Sequence, residues 1–391
     1  MNNRTILERP SVELMKRFTK LYGAEPLLVQ APGRVNLIGE HTDYNEGFVF
    51  PAAIGFQTKV VIAKRPDRHV VVSSENYAER VEFDLDNLPA SPRAHWSDYV
   101  IGVVRQLERV SGPLPGANLL INGDVPLGAG LSSSASLEVA VCKAFLEISS
   151  KTLGGTAIAL LCQQAENQFI GARCGIMDQF ISVHGSKNHA LRLDCRTLEY
   201  RLLPIPPDTK LVICNTMVSH SHSGGEYNDR RAECEAAAHY FAERVPGVKS
   251  LRDVTMDDFE KLSGGLSPVV RKRCRHVLTE NMRVLQAAEA LQAGDLNLFG
   301  RLMASSHASL RDDFNVSSPE LDLMVQLAEN RPGVYGSRMT GGGFGGCTIN
   351  LVHENHVDDF KRAVSEGYKQ QIGRQPEIYV SSAADGAGRL A

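Results

Sequence analysis

The chain is 391 residues long, 43% apolar and 22% charged, and its 42 basic and 45 acidic side chains leave a net charge of −3. At about 100–200 residues per domain, that length predicts two domains, or at most three, each able to bury its own core. The near balance of charge argues against nucleic acid or an anionic membrane surface as the main partner, since either asks for a concentrated positive field. Eight cysteines lie far apart with no CxxC pair, so reduced thiols packed as small apolar groups are expected. The first ten residues, MNNRTILERP, hold no apolar run fit for a secretion signal, and no window approaches the about 20 apolar residues of a membrane span. A cytoplasmic chain is expected, working as a monomer.

In chain order, Ser11 is placed to cap a helix running to about Tyr22, with Val12, Met15 and Phe18 on one stripe and Gly23 as its stop. A strand-like run follows from Leu27 and reaches Gly39. Val60 to Ala63 and Val70 to Ser73 are β-branched runs parted by the turn signal Arg65-Pro66-Asp67, and Ala117 to Asn122 reads as a further strand. Helical periodicity then covers Ser133 to Ile148 and Thr156 to Phe169. The proline-rich segment Leu202 to Asp208 reads as a seam between domains. Beyond it come a buried-strand pattern at Lys210 to Thr216 and helices over Tyr227–Glu243 and Val270–Gln292, with a third continuing through His307 to Phe314. Strands at Cys347–Val352 and Ile378–Ser382 complete a second α+β unit. The basic run Arg271-Lys272-Arg273, with Arg275 and His276, is read as a solvated helix face.

Three stretches carry chemistry. PLGAGLSSSAS at 126–136 joins a glycine turn to a helix start, so free backbone N–H groups and the positive helix end converge on one point. That is an anion site, to which the hydroxyls of Ser132, Ser133 and Ser134 add donors and a hard-cation ligand. It lacks the lysine of a Walker loop. APGRVNLIGEHTDYN at 31–45 places Glu40, His41 and Asp43 within four positions, a density suited to a polyhydroxyl ligand, with Arg34 as a fixed positive fork. A plain polar turn over Thr42–Gly47 explains the same residues about equally well. MTGGGFGGC at 339–347 has five glycines, more than a hairpin needs, and reads as a loop that lines a phosphate or closes over a substrate. In CGIMDQF at 174–180, Asp178 sits among apolar residues and requires either a cation, such as Arg34, or a functional role.

Taken together and in order, these segments resemble the three-motif pattern of the GHMP small-molecule kinases, and GRVNLIGEHTDYN is similar to the galactokinase branch of that family. The resemblance continues through CGIMDQF, SGGEYNDRR at 223–231 and SHASLRDDF at 306–314. Within Met217-Val218-Ser219-His220 the chain departs from the basic residue that many such relatives carry. The resemblance implies a two-lobed α+β molecule, with a ribosomal-S5-like domain over residues 1–200, a ferredoxin-like domain over 201–391 and the active site between them. It implies transfer of the ATP γ-phosphoryl group to the C1 hydroxyl of α-D-galactose, the first committed step of galactose breakdown, with Mg²⁺.

By the same resemblance Asp178 faces the C1 hydroxyl, as proton acceptor or as orienting group, and Arg34 stands beside it. Glu40, His41, Asp43, Gly175 and Tyr227 match sugar contacts. Gly128, Ala129, Gly130, Leu131, Ser132, Ser133 and Ser134 would wrap the nucleotide phosphates. Ser134 and Glu166 match magnesium ligands, while Ser74 and Trp96 resemble the adenine and ribose side. Two rival readings stay open at this point. One is a kinase of the same family acting on N-acetylgalactosamine, mevalonate or homoserine; the other is a non-catalytic sugar sensor on the same scaffold.

Overall fold

The structure, a computed structural model, describes residues 3–219 and 223–390; His220 therefore lies outside the described residues. The strands are β1 (Leu27–Asn36), β2 (Phe48–Val49), β3 (Pro51–Lys64), β4 (His69–Ser74), β5 (Glu79–Asp84), β6 (Ala117–Gly123), β7 (His189–Asp194), β8 (Tyr200–Pro204), β9 (Thr209–Ser219), β10 (Val334–Thr340), β11 (Gly345–His353), β12 (Glu377–Ser381) and β13 (Gly388–Leu390). The helices are α1 (Asn3–Tyr22), α2 (Ser97–Ser111), α3 (Ser133–Ser149), α4 (Gly155–Ala165), α5 (Met177–His184), α6 (Ser223–Ala242), α7 (Met256–Leu262), α8 (Pro268–Gln292), α9 (Leu296–Ser309), α10 (Pro319–Ala328) and α11 (Val357–Ile372).

The amino-terminal lobe is built on a six-stranded sheet in the order β13-β1-β3-β6-β4-β5, antiparallel except where β4 runs parallel to β6. Successive residues of a strand face opposite sides, and here both sides are apolar. Val29, Val60, Ile62, Leu119 and Ile121 meet Val139, Phe145 and Leu161 of α3 and α4 on one side. Leu28, Val61, Ala63 and Leu120 meet Leu14 and Phe18 of α1 on the other. Double burial is why these strands read as continuous apolar runs rather than alternating ones.

The carboxy-terminal lobe repeats the device. Its sheet, β10-β11-β9-β12, puts Val212 and Cys214 against Phe360 and Tyr368 of α11, and Leu211 and Ile213 against Phe299 and Met303 of α9. The second of these clusters also takes in Val35, Leu37, Phe50 and Ile54, so one apolar core joins the lobes. A small sheet, β2-β7-β8, flanks the junction.

Several expectations need correction. The first helix begins at Asn3 rather than at a Ser11 cap, and its buried stripe runs through Leu14 and Phe18, leaving Val12 exposed. The first strand ends at Asn36, not Gly39, because Gly39 and His41 turn the chain with positive φ. The seam at 202–208 starts inside β8, an edge strand that accepts a proline. The division at 200/201 cuts that strand, and β13 returns the chain's last described segment to the first sheet. In the basic run, Arg271 and Lys272 are exposed, but Arg273 and His276 are buried. Arg273 donates to Glu233 at 2.7 Å and to Asn315 Oδ1 at 2.6 Å, so burial there is compensated by partners. All eight cysteines are free thiols, six of them fully buried.

Candidate active site

The loop PLGAGLSSSAS closes on β1. Gly130 and Leu131 turn their carbonyls inward: Arg34 Nη1 donates to Gly130 O at 2.5 Å, and the Arg34 amide to Leu131 O at 3.0 Å. The rest of the Arg34 fork pairs with Asp178, Nε to Oδ1 at 2.7 Å and Nη2 to Oδ2 at 2.8 Å. The cationic partner required for Asp178 is thus Arg34, in bidentate geometry. Ser132, which precedes α3 in the left-handed region, makes no side-chain cap bond; its hydroxyl donates to Asp178 Oδ2 at 2.5 Å. Asp178 lies in the first turn of α5 and is the more open partner, its side chain 29% exposed against 7% for Arg34. Burial works against the Arg34 cation, but Asp178 and then Glu40 outweigh it and hold its pKa above the ordinary value.

A small cavity of about 170 Å³ opens beside this pair. Arg34, Glu40, His41, Asp43, Gly175, Asp178 and Tyr227 all line it, together with Cys174, Met177, Gly341 and Gly342. Thr42 to Gly47 does form the polar turn, with Thr42 Oγ1 donating to Gly39 O and Phe48 O. That turn is also what directs its neighbours' side chains into the cavity. His41 Nε2 lies 3.2 Å from Gly342 O and Nδ1 lies 2.9 Å from the Tyr44 hydroxyl. A carbonyl only accepts, so Nε2 carries the proton and Nδ1 accepts from Tyr44. Burial, with the nearby His276, lowers the His41 pKa to about 3 and keeps that ring neutral.

Asp43 stands over Gly175 so closely that a β-carbon there would lie 1.9 Å from Oδ2. Burial first, then the charge of Asp178, raises the Asp43 carboxyl to about 6. Glu40 accepts from the Gly341 amide at 2.7 Å and has Arg338 Nη1 3.6 Å away; burial raises its pKa against the pull of Arg338 and Arg34. Arg338 was not expected in the site. It is fully buried on β10, where the available signal was a charged residue in the middle of the strand sequence VYGSRMT. His276 likewise donates from Nε2 to Glu40 O at 3.2 Å.

The glycine-rich stretch 341–346 does join two paired strands, β10 and β11, through the Thr340↔Cys347 pair, so it is a hairpin after all. Its glycines are used for approach. At Gly343, φ is +85° and a β-carbon would lie 2.2 Å from Val316 O, while Gly341 and Gly346 press on the carbonyls of Gly130 and Ala129.

A larger cavity of about 990 Å³ lies on the other side of the loop. Gly128, Ser133, Ser134, Ser74 and Trp96 line it; Ala129, Gly130, Leu131 and Ser132 instead support Arg34 and Asp178 or the hairpin. Trp96 stacks on Tyr77 with ring centroids 5.5 Å apart and 6° between planes, and its indole N–H donates to Glu79 at 2.7 Å. Tyr77, unflagged by the sequence pattern, forms part of an aromatic wall suited to a planar base.

Glu166 begins a single π turn after α4 and is buried. Burial, with the Asp178 charge, raises its carboxyl to about 7, while the Ser134 hydroxyl is among the groups lowering it. Among the described residues no group of three or more His, Cys, Asp and Glu could hold a metal ion. Ser134 and Glu166 lie within hydrogen-bonding reach of each other, a hydroxyl and a carboxyl whose hard oxygens fit a Mg²⁺ ion that takes its remaining ligands from phosphate and water.

The glycine loop thus opens α3 beneath a hairpin from the second lobe. The family model "GHMP kinases N terminal domain" matches residues 98–186 and "GHMP kinases C terminal" matches 287–370, which defines the class as small-molecule kinases of the GHMP kind. The mevalonate kinase of Methanococcus jannaschii shares this fold with a TM-score of 0.65 at 19% identity, over 93% of this chain and all of its own.

Within the class, a "Galactokinase galactose-binding signature" covers residues 16–64, and a galactokinase of Roseiflexus sp. (strain RS-1) is 48% identical over 97% of both chains. A galactokinase of Chloroflexus aurantiacus is 47% identical over 95% of this chain and 96% of its own. The crystal structure of Lactococcus lactis galactokinase complexed with galactose superposes with a TM-score of 0.93 at 37% identity, covering 97% of this chain and 99% of that one. The chain belongs to the galactokinase family. It is an enzyme that phosphorylates galactose at C1 with ATP as co-substrate.

Proposed function

We propose that the reaction runs between the two cavities, with galactose in the smaller, ATP in the larger and the Arg34–Asp178 pair at the border. The observation that carries this reading is the bidentate pair itself, which lines the sugar-side cavity and is held from behind by the glycine loop. Glu40, Asp43 and neutral His41 supply fixed acceptors and donors for sugar hydroxyls, and Tyr227 and Gly175 close the walls. Gly128, Ser133 and Ser134 meet the phosphates, while Trp96, with Ser74 behind it, faces the base and ribose.

Asp178 Oδ2 accepts from both Arg34 and Ser132, whereas Oδ1 accepts one bond. Oδ1 is the oxygen that takes the C1 hydroxyl proton as that oxygen bonds to the γ-phosphorus; the bond from the γ-phosphorus to the β,γ-bridging oxygen breaks, and ADP leaves. Positioning and charge stabilisation dominate phosphoryl transfer, and Arg34 contributes both. Ser134 and Glu166 would hold Mg²⁺, which supplies neutralisation of phosphate charge.

The working unit proposed is a monomer. The cytoplasm is its proposed location, in keeping with eight unpaired thiols; no helix of the described residues is long and apolar enough to cross a membrane. A coupled ADP-release assay with galactose, N-acetylgalactosamine, glucose and mevalonate in parallel tests the reading. Turnover with galactose well above the others is expected; equal turnover with N-acetylgalactosamine or mevalonate would overturn the reading of the smaller cavity as a galactose site.

A further inference from the structure

One amide in the core joins three elements of the site. Gln179 follows Asp178 in α5 and is fully buried. Its Nε2 donates to Glu166 Oε2 at 2.6 Å and to Glu138 Oε2 at 3.1 Å. Glu138 is also fully buried and stands four residues after Ser134 in α3, on the same helix face. The side-chain oxygen of Gln179 and the second oxygen of Glu138 have no hydrogen-bond partner among the described residues. In this orientation the amide nitrogen faces both carboxyls at once. Glu166 Oε2 is thereby committed to protein donors, with the Cys174 thiol also 3.5 Å from it.

We propose that Gln179 is the positioning residue of the cation site: anchored on Glu138, its amide fixes the Glu166 carboxylate through Oε2 and leaves Oε1 for a divalent cation shared with Ser134. This rests on the reading of Ser134 and Glu166 as cation ligands. Groups that orient a metal ligand from behind typically change metal affinity about 10–100-fold when removed. The same amide ties the Glu166 carboxyl to α5, the helix that carries Asp178.

The test compares wild type with Glu166→Ala, Gln179→Met and Gln179→Asn. Methionine preserves volume without a donor; asparagine keeps the amide but is one methylene too short to reach both carboxyls. Affinity for Mn²⁺–ADP is read from water-proton relaxation enhancement, beside the free Mg²⁺ needed for half-maximal rate, the galactose KM and the melting temperature. Both Gln179 variants are expected to weaken Mn²⁺–ADP binding and to raise the Mg²⁺ requirement about 10-fold or more, with galactose KM within about twofold of wild type. If Glu166→Ala shows the metal shift and neither Gln179 variant does, the positioning role is overturned while the cation reading stands. If Glu166→Ala leaves metal binding unchanged, the cation reading fails and this inference with it. A lowered melting temperature with unchanged metal dependence would make Gln179 a purely structural residue and also overturn the proposal.

Discussion

Asp178 accepts three hydrogen bonds from two side chains, and this decides what its replacement does. Asparagine has nearly the same shape and keeps one carbonyl acceptor, but it cannot take a proton and loses the charge that faces Arg34. We expect Asp178→Asn to fold and to lose about 10²–10⁴-fold in kcat, the scale of a lost general base, in steady-state assays at saturating galactose and ATP. Near-wild-type turnover would remove Asp178 from proton transfer.

Asp43 makes a different prediction, through pH. Its folded carboxyl titrates near 6 against 3.8 for an ordinary aspartate, first because it is buried and then because Asp178 is close. Its contribution to stability is full below the unfolded value and is lost as pH rises through about 6. Sugar binding asks for the opposite state, since only the carboxylate accepts from two hydroxyls. Galactose KM should therefore rise as pH falls below about 6. Asp43→Asn should raise the melting temperature at neutral pH, raise galactose KM about 10-fold or more, and flatten that acid limb. Melts and KM profiles on both proteins check the pair of signs.

At the scale of elements, the meeting of Gly175 with Asp43 is set by backbone. Cys174–Gly175 leads into α5, and the turn after β1 lays Asp43 directly over the missing side chain. Gly175→Ala would push a methyl group into the Asp43 carboxylate, displacing the proposed sugar contact by about an ångström. A misplacement of that size costs on the order of 10²-fold in kcat/KM. The loss is expected for galactose while ATP affinity, measured by isothermal titration, stays at the wild-type value.

Elements with a strong apolar period were legible in the sequence. α3 and α8 show their spacing within single segments, and β6 and β9 show their continuous apolar runs. The stripe Val357, Phe360, Val364 and Tyr368 of α11 was equally regular and went unread. The hairpin β10–β11 was misread because its glycine count reflects contacts with Val316, Ala129 and Gly130, none of them local. The same holds for the site. Arg34 and Asp178 could be paired from the chemistry of a lone acid and a lone base. The contacts of Arg338 with Glu40 and of Gln179 with Glu166 depend on which elements pack together, and nothing at positions 338 or 179 names the partner.

On the scale of the whole molecule, the end of the described chain braces the site from the far side of the first lobe. After β12 the backbone leaves the second sheet, and β13 pairs with β1, the strand that carries Arg34. On the way, the Gly386 amide donates to Gly185 O at 2.7 Å and the Ala387 amide to Ser182 O at 2.8 Å, both at the end of α5. Lys143 of α3 donates to Ala387 O at 2.7 Å, and Ser182 Oγ reaches Pro32 O on β1 at 2.8 Å. The tail thus ties together the strand of Arg34, the helix of Asp178 and the helix that the phosphate loop opens. Each bond of this kind contributes about 1 kcal/mol. A chain ending at Asp385 should therefore melt lower by on the order of 5 °C. Because both partners of the proposed catalytic pair lose a support, kcat should also fall by about 10-fold at temperatures well below the melt. A truncated protein that melts lower but turns over at the full-length rate would show that the tail stabilises the lobe without setting the geometry of Arg34 and Asp178.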